Sequence, residues 1–234
     1  MRRVDVFFIV EKHAVPDLAT ARRAMLRHYL EPDTYRTVSV LDPLRDAQLD
    51  YRTGVDQWRE ERTVLLEKAI LTELGDNECG AILVWGDPGL YDGTIDSIRD
   101  IMDRSPGALE LRVVPGISSI AVLAARHAIT LTRRCGAVLI TTGRRLRTDW
   151  PAGVEDVVVM LDPGLSCQQF RGHPGAGIEI FWGAYLGSSE EVLIAGRLNE
   201  VIDEIIASRA ALRRRIGWIM DCYLLRRSDR MKTE

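Results

Sequence analysis

Two stretches of this 234-residue chain combine glycine, proline and small polar side chains in a way suited to holding a ligand. The first is Trp85-Gly86-Asp87-Pro88-Gly89-Leu90-Tyr91. Gly86 lets a ligand come close to the main chain, and Pro88 stiffens the turn. The Asp87 carboxylate can accept from hydroxyl or ammonium groups; equally, it reads as the N-cap of the helix that follows. The second stretch is Val113-Val114-Pro115-Gly116-Ile117-Ser118-Ser119-Ile120. Ser118 or Ser119 is a natural N-cap there, and the amides of a first helical turn are donors for a carboxylate. Metal chemistry has no such footing. Cys79, Cys135, Cys167, Cys222 and His13, His28, His127, His173 lack ligand spacing, so no protein-bound metal is expected.

The elements that must position these stretches follow from periodicity. Val4 to Val10 reads as a strand, Asp17 to Tyr29 as a helix opened by Pro16, and Tyr35 to Leu41 as a second strand. Gln48 to Leu74 is charged and periodic, one helix or two, stopped by Gly75. The continuous apolar run Gly80 to Trp85 suits a strand buried on both faces of a parallel sheet. Its carboxyl end delivers the first stretch, where open α/β sheets bind ligands. A helix from Thr94 to Arg104 and a strand from Glu110 to Val114 complete a β-α-β-α-β-α-β order. Beyond Pro115-Gly116 the sequence predicts a helix over 118–127 and strands over 137–142, 157–160, 178–182, 191–195 and 217–225. It also predicts a helix over 198–211. More strands per helix imply a mixed sheet. The class is α/β, with a domain boundary placed between 1–116 and 117–234.

With 46% hydrophobic and 28% charged residues the chain is globular in composition. A net charge of -3 gives no general attraction to nucleic acid, and the arginine-rich runs 144–147, 209–215 and 226–230 read as solvated faces or tails. No apolar run approaches the roughly 20 residues of a membrane helix, and Met1-Arg2-Arg3 leads into a strand pattern and not a signal peptide. A cytoplasmic protein without nucleic-acid or membrane partners is the expectation. No GxGxxG opens a strand–helix unit, which disfavours a dinucleotide-dependent oxidoreductase.

Taken together, an apolar strand followed by GDPxxY, and later a strand followed by VPGISS, resembles the tetrapyrrole methyltransferases. The resemblance continues through Leu139-Ile140-Thr141-Thr142-Gly143-Arg144-Arg145 and Asp156-Val157-Val158-Val159-Met160-Leu161-Asp162. Trp182-Gly183-Ala184-Tyr185-Leu186-Gly187 and Gly217-Trp218-Ile219-Met220-Asp221 look like one corrin-ring member in particular. The resemblance implies two α/β domains with S-adenosylmethionine folded into the cleft between them. It carries cofactor contacts onto Trp85, Gly86, Asp87, Leu90, Ser118, Ser119, Met160 or Leu161, and Gly183 or Ala184. The reaction implied is a C-methylation in cobalamin biosynthesis: precorrin-5 is methylated at C1 with release of acetate, giving precorrin-6A. The alternatives are a sibling tetrapyrrole methyltransferase, or a form that only binds adenosylmethionine or a tetrapyrrole. A polycarboxylate substrate points to Arg144, Arg145 and Arg147 as two-point contacts, against a solvated basic loop. For deacylation, Tyr91, Asp92 and Tyr185 are the candidates, each with a structural reading beside it. Similar enzymes are homodimers.

One departure from the family pattern stands out. The family opens with a strand, a GxGxGDP-type loop and a helix before the segment matched by Arg3-Val4-Asp5-Val6-Phe7-Phe8. The expectation is therefore that roughly two dozen residues, the size of such a unit, are lacking, through a start assigned too late, a decayed gene fragment, or a variant that does without the unit.

Overall fold

The computed structural model describes residues 1–11, 16–46, 48–146, 150–172 and 177–227. The chain divides into two compact units, Met1–Gly116 and Ile117–Glu234.

In the first unit the apolar run at the start of the chain forms β1 (Val6–Glu11), the middle strand of an all-parallel sheet ordered β2-β1-β3. Its neighbours are β2 (Arg36–Leu41) and β3 (Gly80–Ile82). Successive β1 side chains point to opposite faces. Val6, Phe8 and Val10 pack with Leu66 and Ile70 of α2 (Tyr51–Glu73) and Ile98 and Ile101 of α3 (Thr94–Arg104). Phe7 and Ile9 pack with Ala19 and Leu26 of α1 (Pro16–Tyr29). A strand buried on both faces thus needs the unbroken apolar run that the sequence supplies. The segment before Gly75 is one helix, capped by Asp50, whose Oδ1 accepts from Arg52 N and Thr53 N at 3.1 and 3.2 Å. It ends at Glu73 with Leu74 as the cap, and Gly75 instead donates its N–H to Glu78 Oε2 at 2.7 Å.

Two expectations for this unit fail. The run Gly80 to Trp85 pairs only over Gly80–Ile82, and Glu110 to Val114 forms no strand. A strand exists only where a neighbour takes its hydrogen bonds. Among the described residues β3 pairs on one side, with β1. The alternation in the second segment serves packing instead: Leu109 and Leu111 lie against the α2–α3 cluster, while Val113 and Val114 are exposed.

The second unit is a five-stranded mixed sheet ordered β4-β5-β8-β6-β7. The strands are β4 (Val138–Thr142), β5 (Asp156–Met160), β6 (Ile178–Ala184), β7 (Val192–Arg197) and β8 (Asp221–Arg227). Only β4 and β5 are parallel. A short helix, α4 (Ser119–Arg126), lies against β6 and β8, and α5 is a single turn, Gly143–Leu146. A 3-10 turn, Ser166–Phe170, follows β5. The largest core cluster joins Val157, Val159, Ile180, Trp182, Tyr223 and Leu225 to Ile202, Ile205 and Leu212 of α6 (Leu198–Ile216). This helix outruns the expected end at Ala211, because Arg213, Arg214 and Arg215 sit in its last turn, where cations favour the carbonyl end. Gly217, expected to begin the last strand, is instead the left-handed cap of α6, with φ 87°.

Candidate functional site

In the first unit the two ligand-suited stretches meet. Asp87 Oδ1 accepts from Gly89 N at 2.8 Å, and Oδ2 accepts from Gly116 N at 2.9 Å. The carboxylate therefore does not cap α3: Gly93 is the N-cap residue, and Asp92 Oδ1 accepts from Thr94 N at 2.8 Å. Gly86 has φ 70°, a conformation that glycine adopts without a steric penalty. At Gly116 a Cβ would lie 2.0 Å from the Gly86 carbonyl oxygen, so the two loops pack main chain to main chain. A carboxylate oxygen has two lone pairs, so Asp87 retains acceptor capacity beyond these two bonds. Trp85 is exposed, with the Arg22 guanidinium 5.5 Å from its ring centroid. Arg22 Nε donates to Leu83 O at 2.7 Å, which fixes the cation beside the loop. Leu90 is half-buried, its N–H bonded to Asp87 O at 3.1 Å. Tyr91 is exposed and left-handed, with φ 54°.

In the second unit Ser118 caps α4, Oγ accepting from Ala121 N at 3.3 Å. The Ser119 side chain bonds the Cys222 thiol, which burial pushes up to about 12 against the lowering effect of that bond. Met160 closes β5 half-buried; Leu161 after it is 61% exposed and left-handed, with φ 50°. Gly183 and Ala184 are buried in β6, paired on both sides, with Leu193 and Cys222 and with Val192 and Asp221. A Cβ on Gly183 would come within 2.6 Å of Leu186 and 2.9 Å of Leu123, so glycine there lets the Tyr185 turn and α4 close on the sheet. Tyr185 is buried, its hydroxyl donating to Trp218 O at 2.5 Å and its N–H to Met220 O at 2.8 Å. Burial raises the phenol above its ordinary range. These bonds tie the 182–187 stretch to the 217–221 stretch. Arg144 and Arg145 are exposed on α5, each engaged by a neighbour; Arg147 lies outside the described residues.

Sequence reasoning missed a buried polar network beneath Leu161. Asp162, 5% exposed, accepts from Ser166 N and from Tyr223 Oη, both at 2.5 Å and at Oδ2, and from Ser166 Oγ at 2.9 Å. Its carbonyl accepts from Arg209 Nη2 at 2.7 Å. Arg209 also pairs with Asp221, Nε to Oδ2 2.7 Å, and Trp182 Nε1 donates to that same carboxylate oxygen at 2.8 Å. A signal was present: 209 falls on the buried α6 stripe of Ile202, Ile205 and Leu212. The arginines after it disguised Arg209 as part of a solvated run. Among the described residues no group of three or more His, Cys, Asp or Glu is placed to hold a metal ion.

The model of the tetrapyrrole (corrin/porphyrin) methylases matches residues 1–202. The chain belongs to that family. A precorrin-6A synthase [deacetylating] of Sinorhizobium sp. is 42% identical over 225 residues, covering 95% of this chain and 85% of the relative. The crystal structure of a cobalamin synthesis related protein (CobF) of Corynebacterium diphtheriae superposes with a TM-score of 0.80 at 31% identity, over 97% of this chain and 89% of that one. The methyltransferase CobJ shares the fold, with a TM-score of 0.53 at 11% identity over 96% of this chain and 95% of that one. As a tetrapyrrole methylase the chain is a methyltransferase that draws its methyl group from S-adenosylmethionine.

Proposed function

We propose that this tetrapyrrole methylase acts in cobalamin biosynthesis, methylating precorrin-5 at C1 and releasing the extruded acetyl group as acetate to give precorrin-6A. The observation that carries the reading is the 42% identity to the Sinorhizobium synthase over 225 residues, 95% of this chain. In the first unit Trp85, Gly86, Asp87 and Leu90 contact the donor; in the second, Ser118, Ser119, Met160, Leu161, Gly183 and Ala184 do so. Their chemistry suits it. A carboxylate with spare lone pairs accepts from the ammonium or ribose hydroxyls, and the exposed Trp85 and Leu161 offer apolar surface to a flat heterocycle.

When bound, S-adenosylmethionine supplies an electrophilic methyl group. The nucleophilic carbon belongs to the substrate, so the protein's work is alignment and not proton transfer from Asp87. Arg144 and Arg145, with Arg147, fork onto substrate carboxylates and fix the ring's position. Acetate departs when water adds its hydroxyl to the acetyl carbonyl and the C–C bond to the ring breaks, the electron pair and a proton passing to the substrate. Tyr91, Asp92 and Tyr185 stand as the candidates that assist this step; Asp92 Oδ1 accepts from Thr94 N, and Tyr185 Oη donates to Trp218 O. The same resemblance carries the expectation of a cytoplasmic homodimer.

The test is incubation with precorrin-5 and methyl-labelled S-adenosylmethionine, following methyl incorporation and acetate together. Label in the corrin with equimolar acetate is the expected result. Methylation without acetate assigns a sibling activity, and donor binding without transfer assigns a binding role.

A further inference from the structure

We infer that Asp162 is a positioning residue that sets the Leu161 turn and the arginine-bearing turn at Gly143 from a single buried carboxylate. The inference rests on Leu161 being a donor contact, as proposed above.

Leu161 is held where leucine is rarely found. A left-handed conformation costs a residue with a Cβ on the order of 1–3 kcal/mol, and it persists only where its surroundings over-determine it. No burial of its own side chain offsets that cost, because Leu161 is 61% exposed. The restraint comes from the next residue. Three donor groups converge on the Asp162 carboxylate, from Ser166 N, Ser166 Oγ and Tyr223 Oη, while Arg209 holds its carbonyl. Burial pushes the Tyr223 hydroxyl well above its ordinary range, so it remains protonated and donates. Leu165, a second left-handed leucine with φ 52°, completes the turn by donating its N–H to Asp162 O at 3.3 Å.

The carboxylate also reaches the neighbouring strand. Thr142 on β4 lies opposite Met160 on β5, so Gly143 and the Leu161 turn leave the sheet side by side. A Cβ on Gly143 would fall 2.0 Å from Asp162 Oδ1, which places the carboxyl group directly on the first residue of α5. Arg144 and Arg145 follow on that turn. Proposed donor-side and substrate-side positions of the second unit thus share one anchor, in which every side chain is buried.

The experiment measures binding of S-adenosylhomocysteine by calorimetry, and Tm, in the full chain. Asp162→Ala leaves buried donors unpaired and is expected to raise Kd at least about tenfold. Asp162→Asn keeps an acceptor and the volume, and should recover affinity to within about threefold of the parent. Tyr223→Phe removes one hydroxyl, and covers the case in which Asp162→Ala does not fold; a Kd rise of about threefold or more is expected. Ile205→Val, a core control, should lower Tm and leave Kd within about twofold. Kd values for Asp162→Ala and Tyr223→Phe that track the control would overturn the inference. Leu161→Ala separates the two readings. If it alone weakens binding, the donor contact stands and the anchor fails; if it binds like the parent, the donor contact itself is wrong and the inference falls with it.

Discussion

Asp87 and Gly116 are joined side chain to main chain: the carboxylate Oδ2 accepts the glycine N–H at 2.9 Å across 29 positions of sequence. Within the first unit the Trp85–Tyr91 loop and the Pro115-Gly116 turn are therefore one structure, closed by a charge-assisted hydrogen bond. Asp87→Ala should raise the Kd for S-adenosylhomocysteine about tenfold, and Asp87→Asn by less, because its amide oxygen still accepts one of the two N–H groups. Equal losses in both variants would show that the negative charge itself is what the ligand reads.

Gly116→Ala tests the same junction by volume. The added methyl meets a carbonyl oxygen, which cannot turn aside as a flexible side chain can. Overpacking of this kind costs about 1–3 kcal/mol, so a lower Tm together with weakened donor binding is expected from thermal melts and calorimetry. Wild-type values in both would mean that the loops separate freely.

Tyr185→Phe distinguishes architecture from chemistry. The hydroxyl donates to Trp218 O, and the ring stacks edge-on against Trp218 with centroids 5.4 Å apart. Losing the bond should cost about 1 kcal/mol of stability and leave kcat within about twofold. A fall in acetate release with methylation intact would return Tyr185 to the deacylation step.

Acid stability carries a contribution from Glu78. Its hydrogen bonds from Arg36, and then from the Gly75 N–H, hold the carboxyl down at about 2, below its ordinary 4.5. A depressed acid stabilises the fold fully above its unfolded value and loses that contribution as pH falls through the folded one. Stability should therefore decline from about pH 4.5 toward pH 2, and Glu78→Gln should flatten that limb of a pH-dependent unfolding series. An unchanged profile would place the acid sensitivity elsewhere.

Thiol reactivity should divide the cysteines. Cys79 and Cys135 are exposed, whereas burial pushes both Cys167 and Cys222 up to about 12. At pH 8 a thiol reagent should modify the first pair rapidly and the second only on unfolding, as peptide mapping would show. Rapid labelling of Cys222 in the folded protein would mean that α4 opens from β8.

The first unit was legible wherever one element carries its own signal. The run Val4 to Val10 read as a strand from its composition, and the charged, periodic stretch stopped before Gly75 read as helical. Glu110 to Val114 misled because alternation records which side chains are buried, not whether a neighbouring strand is there to pair. The second unit's mixed sheet was foreseeable from the density of short strands. The Asp162 network was not: its members are scattered over 162, 166, 209, 221 and 223, and only the tertiary fold brings them together. Arg209 alone left a trace, as a charge on an apolar stripe. Asp87 was open between helix cap and ligand acceptor, and the distance to Gly116 decided against the cap.

The left-handed leucine at 161 has a consequence for anyone selecting improved forms of this protein. Glycine or asparagine at that position would relax the backbone, and a library screened for heat resistance would enrich them. With Leu161 as the proposed donor contact, such winners would be hardier proteins with a poorer grip on the methyl donor, so selection for robustness and selection for turnover would pull this position in opposite directions.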